Sequence, residues 1–99
     1  MPVGHVVTFT FKVNTASESV RALGVALDEL ATETAALSYC HGADLKIRPG
    51  NADYSVTAIF EDEAAFSAYI TSALHVQIVR ELLEPHLESR SAVQFAIAP

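Results

Sequence analysis

Two histidines and a tyrosine stand in apolar surroundings at opposite ends of the chain. His5 opens the run His5-Val6-Val7-Thr8-Phe9-Thr10-Phe11. His75 closes the run Tyr69-Ile70-Thr71-Ser72-Ala73-Leu74-His75. Imidazole is the side chain whose ordinary pKa lies near neutrality, so two imidazoles facing one cavity can take up and return protons at physiological pH. A phenol beside them can donate a hydrogen bond to a developing oxyanion. Such a trio suits general acid–base chemistry. The chemistry depends on whether these three groups meet.

Each residue also has a purely structural reading. A histidine at a strand start can bond to a backbone group or a neighbouring helix. Tyr69 can be a core aromatic with its hydroxyl at the rim. In one regular helix, six residues would place Tyr69 and His75 well apart in azimuth and about 9 Å apart in rise. Their meeting therefore requires a bend between them.

The elements that must position them follow from periodicity. In residues 5–12, His5, Val7, Phe9 and Phe11 share one face, and Val6, Thr8 and Thr10 the other. This alternation predicts a strand whose large apolar face lies under helices and whose smaller face meets another sheet. A helix is expected from a start near Asn14-Thr15-Ala16-Ser17 to about Thr34. Thr15 with Glu18 forms a possible capping box, and Ser17 is a rival N-cap. Val20, Leu23, Leu27 and Leu30 carry its buried stripe.

Residues 37–47 read as a second strand region kinked near Gly42, with Leu37, Tyr39 and His41 alternating before Leu45 and Ile47. Pro49-Gly50-Asn51 marks a turn. Residues 54–60 read as a third strand. Asp62 is the expected N-cap of the next helix, with Phe66, Tyr69 and Ile70 on one face. The pattern slackens at Thr71-Ser72-Ala73 and resumes with Val76, Val79, Leu82 and Leu83, which predicts two short helices meeting at an angle. Pro85 should end the second near Glu84, and residues 91–97 form the last strand.

The order β-α-β-β-α-β predicts an α+β fold of the ferredoxin-like type: an antiparallel four-stranded sheet with helices on one face. The chain has 99 residues, which predicts one domain spanning 1–99. Half the residues are hydrophobic and 18% are charged. A domain this small buries only roughly 60–70% of its unfolded surface, so pairing of the naked sheet face with a second copy is expected.

The net charge of −6 argues against nucleic acid and against anionic membranes. No apolar run reaches the ~18 residues of a membrane span. Cys40 is the single cysteine, which excludes an internal disulfide and fits the reducing cytoplasm. No secretory signal is expected from the N-terminal residues. Cys40 and His41 are adjacent in a strand and so point to opposite faces, which argues against a shared metal ion. His41 and His86 lie in polar stretches and read as surface residues. Glu81, Glu84 and Glu88 read as a solvated helix face.

Together, several features resemble the stress-responsive dimeric α/β-barrel (Dabb) family over nearly the whole chain. They are the opening His5-Val6-Val7 with Phe9, Phe11 and Lys12, Gly42 before an Asp44-containing strand, Phe60-Glu61 before an acidic helix start, and Tyr69 six residues before His75. The family usually carries a His-Pro-x-His element after that tyrosine. Here it reads Ser72-Ala73-Leu74-His75, so the second histidine is kept while the first histidine and the proline are replaced.

The resemblance implies a homodimer whose two sheets form a central barrel with helices outside. Some relatives are stress-induced, very stable proteins without a settled activity. Others, the plant polyketide cyclases, close a linear poly-β-ketone by an intramolecular aldol reaction. There the positions matching Tyr69 and His75 form the catalytic pair, and the position matching His5 lies in the same pocket.

The expected function is thus a cofactor-independent cyclase or lyase acting on a small apolar ketone or polyketide, with His5, Tyr69 and His75 as its catalytic residues. Val7, Phe9, Phe11, Leu23, Leu27, Phe66 and Ile70 would wall the pocket, and no metal is required. The alternative is a non-catalytic stability or small-ligand-binding protein. An oxygenase of the wider superfamily ranks last, because the chain has no Trp and its Asn14 and Asn51 fall in turns.

Overall fold

The computed structural model describes residues 1–98. Strand β1 (Val3–Phe11) leads to helix α1 (Ser17–Glu33), strands β2 (Ser38–Ala43) and β3 (Tyr54–Phe60), and helices α2 (Glu63–Thr71) and α3 (Ala73–Ile78). A π-helical turn (Val79–Leu83) and a 3-10 turn (Glu84–His86) then feed strand β4 (Leu87–Ala96). The four strands form one antiparallel sheet in the order β2-β3-β1-β4. This is the ferredoxin-like α+β arrangement expected from the element order.

Alternation decides which face is covered. His5, Val7 and Phe9 of β1 and Tyr54, Val56, Ala58 and Phe60 of β3 are buried beneath the helices. Leu23, Leu27 and Leu30 recur at helical spacing on α1 and seal against them. Each such leucine stabilises the fold by roughly 1.5–3 kcal/mol through burial. No helix among the described residues covers the opposite face. There Val93 and Phe95 of β4 are about half exposed, at 54% and 48%, beside Val6, Thr57 and Ile59. Phe95 lies across Gly4, its cross-strand partner. A Cβ at Gly4 would come within 2.6 Å of the Phe95 ring, so the ring's position requires glycine there.

Several local expectations are corrected. Helix α1 is capped by neither candidate: Ala16 is its N-cap residue, with no side-chain bond to the helix. The Thr15 hydroxyl instead donates to the Lys12 carbonyl at 2.7 Å, closing the preceding turn. β2 covers only 38–43 rather than 37–47. Asp44 turns the chain out of the sheet, its carboxylate accepting from the Lys46 amide and the Asn51 side chain, and Leu37, Leu45 and Ile47 are left exposed. β4 begins at Leu87, four residues earlier than expected, because pairing with β1 continues through a bulge at Thr10/Phe11. Glu88 therefore lies on a strand, not on a helix face.

The break between α2 and α3 falls at Ser72, as the slackened pattern predicts. Ser72 is extended (φ −61°, ψ 147°) and serves as C-cap of α2 and N-cap of α3. Asp62 caps α2 as expected, accepting from the Ala65 amide at 2.8 Å. No helix among the described residues is long and apolar enough to cross a membrane.

Candidate active site

A cavity of about 580 Å³ opens between the sheet and the helices. Its floor is His5, Val7 and Phe9 of β1 with Val56 of β3. Leu23, Leu27 and Leu30 of α1 form one wall. The break and the turns after it form another, through Tyr69, Ile70, His75, Val79 and Leu83, and β4 supplies Arg90, Ala92 and Gln94 at the far side. The volume falls in the range of small-molecule sites, and the lining is mostly apolar with a few converging polar groups.

His5, Tyr69 and His75 all line this cavity. The Tyr69 and His75 rings meet edge to face, 4.8 Å between centroids. The His5 and Tyr69 rings are 6.1 Å apart, also edge to face. Ser72 makes the meeting possible, being bonded to the backbone of both helical residues. Its amide donates to the Tyr69 carbonyl at 3.2 Å, and its hydroxyl accepts from the His75 amide at 3.2 Å.

Burial sets the protonation states. It lowers the His75 pKa below the usual imidazole value; the nearby Arg90 guanidinium adds to this, while a hydrogen bond to the Ile70 backbone works against it. Burial likewise lowers His5, with His75 adding to the effect. Both rings are therefore neutral at pH 7. The Gln94 amide donates to His5 Nδ1 at 2.9 Å, which puts the ring proton on Nε2. No buried side-chain nitrogen or oxygen among the described residues lacks a partner. Burial raises the Tyr69 pKa, so its phenol stays protonated, and its bond with Tyr39 opposes that rise.

The proposed wall is placed in part. Val7, Phe9, Leu23, Leu27 and Ile70 line the cavity. Phe66 lies outside the lining, its ring 5.0 Å from that of His5 and 5.6 Å from that of Phe60. Phe11 lies at the far end of β1, past the bulge, and packs toward Tyr54 with ring centroids 6.3 Å apart. Gln94, Arg90 and Tyr39 were not singled out from sequence. Gln94 meets His5 only through the register of β1 with β4, which a lone sequence does not display.

His41 is not a surface residue: 12% of its side chain is exposed. Its Nε2–H donates to the Asp28 carboxylate and its Nδ1 accepts from the Tyr54 hydroxyl, each at 2.7 Å. It thereby ties the edge strand β2 to both α1 and β3, while Cys40 beside it points outward and is exposed. His86 is half buried. Among the described residues no group of three His, Cys, Asp or Glu is placed to hold a metal ion.

The model of the Dabb family, the stress responsive A/B barrel domain, matches residues 3–97. The chain belongs to that family. A dimeric ferredoxin-like protein of unknown function from Thermobifida fusca is 31% identical, with a TM-score of 0.91 over 98% of this chain and 92% of its own. A Dabb family protein from Mesorhizobium loti is 20% identical, with a TM-score of 0.81 over 99% and 98%. A hydroxynitrile lyase from Passiflora edulis is 17% identical, with a TM-score of 0.83 over 98% and 94%, a likeness of fold. No curated protein matches the chain.

Proposed function

We propose that this Dabb protein is a cofactor-independent enzyme that makes or breaks a carbon–carbon bond beside a carbonyl. The reaction in view is the intramolecular aldol closure of a small β-polyketide. The observation that carries this reading is the convergence of His5, Tyr69 and His75 on one apolar cavity. A fold shared with a protein named a hydroxynitrile lyase is compatible with it.

Neutral His75 removes a proton from a carbon flanked by two carbonyls. The resulting enolate carbon attacks a ketone carbonyl further along the same chain, forming the ring bond. The electron pair of that carbonyl moves to its oxygen, where the Tyr69 hydroxyl donates a hydrogen bond. The imidazolium of His75 then returns its proton to the alkoxide, so the cycle is balanced. His5, held by Gln94, presents Nε2–H to a second carbonyl and fixes the fold of the chain in the cavity. One general base of this kind contributes roughly 10²–10⁴-fold, and the apolar lining strengthens each polar contact.

The working form in this proposal is a homodimer. The uncovered sheet face with Val93 and Phe95, and a 31% identical relative described as dimeric, support a second copy as its cover. The test is incubation with a tetraketide thioester, followed by chromatography of ring-closed products. The wild-type chain should accelerate closure, and His75→Ala should remove the gain. Equal acceleration by His75→Ala would take His75 out of the mechanism.

A further inference from the structure

One row of the sheet runs beneath the catalytic tyrosine. Its four members, in spatial order, are Tyr39 of β2, Ala58 of β3, His5 of β1 and Gln94 of β4, each registered against the next. All four stand on the helix-covered face. Gln94 fixes His5 from one end of the row. At the other end the Tyr39 hydroxyl lies 2.9 Å from that of Tyr69. The small Ala58 lies between them, 1% exposed. The Tyr69 ring lies 5.8 Å from the Tyr39 ring and 6.1 Å from that of His5.

Two hydroxyls in contact share one proton between them and leave the other free. Tyr69 borders the cavity and Tyr39 does not. A free proton on Tyr69 finds an acceptor in the cavity, in water or in substrate. The Tyr39 hydroxyl has no other protein partner among the hydrogen bonds of the described residues, and Tyr39 is half-buried. Where an acceptor in the cavity uses the Tyr69 proton, Tyr39 is left to donate to the Tyr69 oxygen.

We propose that Tyr39 is a positioning residue: its hydroxyl donates to the Tyr69 oxygen and so turns the Tyr69 proton into the cavity. Tyr39 does not touch substrate; it acts through Tyr69. The same bond supports negative charge on the Tyr69 oxygen when that proton is drawn towards an oxyanion. The role assigned to Tyr69, and with it the direction of the bond, rests on the proposed function, but the bond itself does not.

The chain has three tyrosines, so ¹³Cζ-tyrosine labelling of the whole protein yields three resonances, assigned by single Tyr→Phe variants. In Tyr39→Phe, which removes one oxygen and keeps the ring, the Tyr69 resonance should move at pH 7. Its ionisation midpoint should rise by about 1 pH unit. With an active substrate in hand, kcat should fall about tenfold and KM should hold. A Tyr69 resonance that does not move in Tyr39→Phe, or a Tyr69 midpoint that falls, overturns the proposal. If Tyr39→Phe does not fold, Tyr69→Phe reads the same bond from the other side: the Tyr39 resonance should shift on losing its acceptor, and an unmoved one overturns the proposal. Absence of ring closure by the wild type would end the polyketide reading, while the resonances still decide the bond.

Discussion

His75 reaches Tyr69 because Ser72 lies between them: the rings are 4.8 Å apart at their centroids, six positions apart in sequence. A continuous helix would send the two side chains to different faces. Ser72 bonds to the Tyr69 carbonyl through its amide and to the His75 amide through its hydroxyl. The residue that replaces the family's usual histidine thus holds the bend rather than removing it.

The two imidazoles of the cavity make stability pH-dependent. Both have folded-state pKa values below the ordinary 6.5. Above 6.5 both are neutral, folded or unfolded, and contribute no slope. As pH falls below 6.5 the unfolded chain binds protons first, so stability declines until the folded-state values are passed. Melting temperatures measured from pH 8 to 5 should fall below about pH 6.5. His5→Gln with His75→Gln should flatten that fall, and an unchanged profile in the double variant would show that other groups cause it.

Arg90 stands on the cavity wall and lowers the His75 pKa. Arg90→Gln should therefore raise it. Titration of the His75 ring protons by NMR reads the change directly. A downward movement would mean that the guanidinium stabilises the imidazolium's surroundings in some other way.

The Asp28–His41–Tyr54 chain is a mechanical tie, not part of the cavity. His41→Ala leaves the buried Tyr54 hydroxyl without its partner, at a cost of about 1–3 kcal/mol. Asp28→Asn should cost less than about 1 kcal/mol, because the Asp28 side chain is 74% exposed. Urea unfolding of the two variants decides the order.

Ala58 lies between His5 and Tyr39 in the sheet, and the Tyr69 ring meets the rings of both. Ala58→Val overpacks the centre of the row, and should destabilise the fold by about 1–3 kcal/mol. It should also separate the Tyr69 and His75 rings, read as loss of their mutual nuclear Overhauser contacts. Contacts that persist would locate the added methyls elsewhere.

Much of this was legible in the residues alone. Strict alternation in β1 and β3 named the buried faces, the leucines of α1 named its seal, and the slack at Thr71-Ser72-Ala73 located the bend. Such signals are local, set by a period of two or of 3.6. His41 was misread because its partners, Asp28 and Tyr54, are thirteen residues away on either side. Gln94 lies 89 residues from His5 and Tyr39 lies 30 from Tyr69; strand register joins the first pair, and the packing of α2 on the sheet joins the second. The length of β4 was underestimated for a related reason, since an edge strand with exposed faces carries weak alternation.

The π-helical turn at Val79–Leu83 adds width to the helix where Val79, Arg80 and Leu83 contour the hollow. None of these residues belongs to the proposed acid–base trio. This part of the contour is thus encoded apart from the proposed trio, and a kin protein could exchange it while retaining that trio intact.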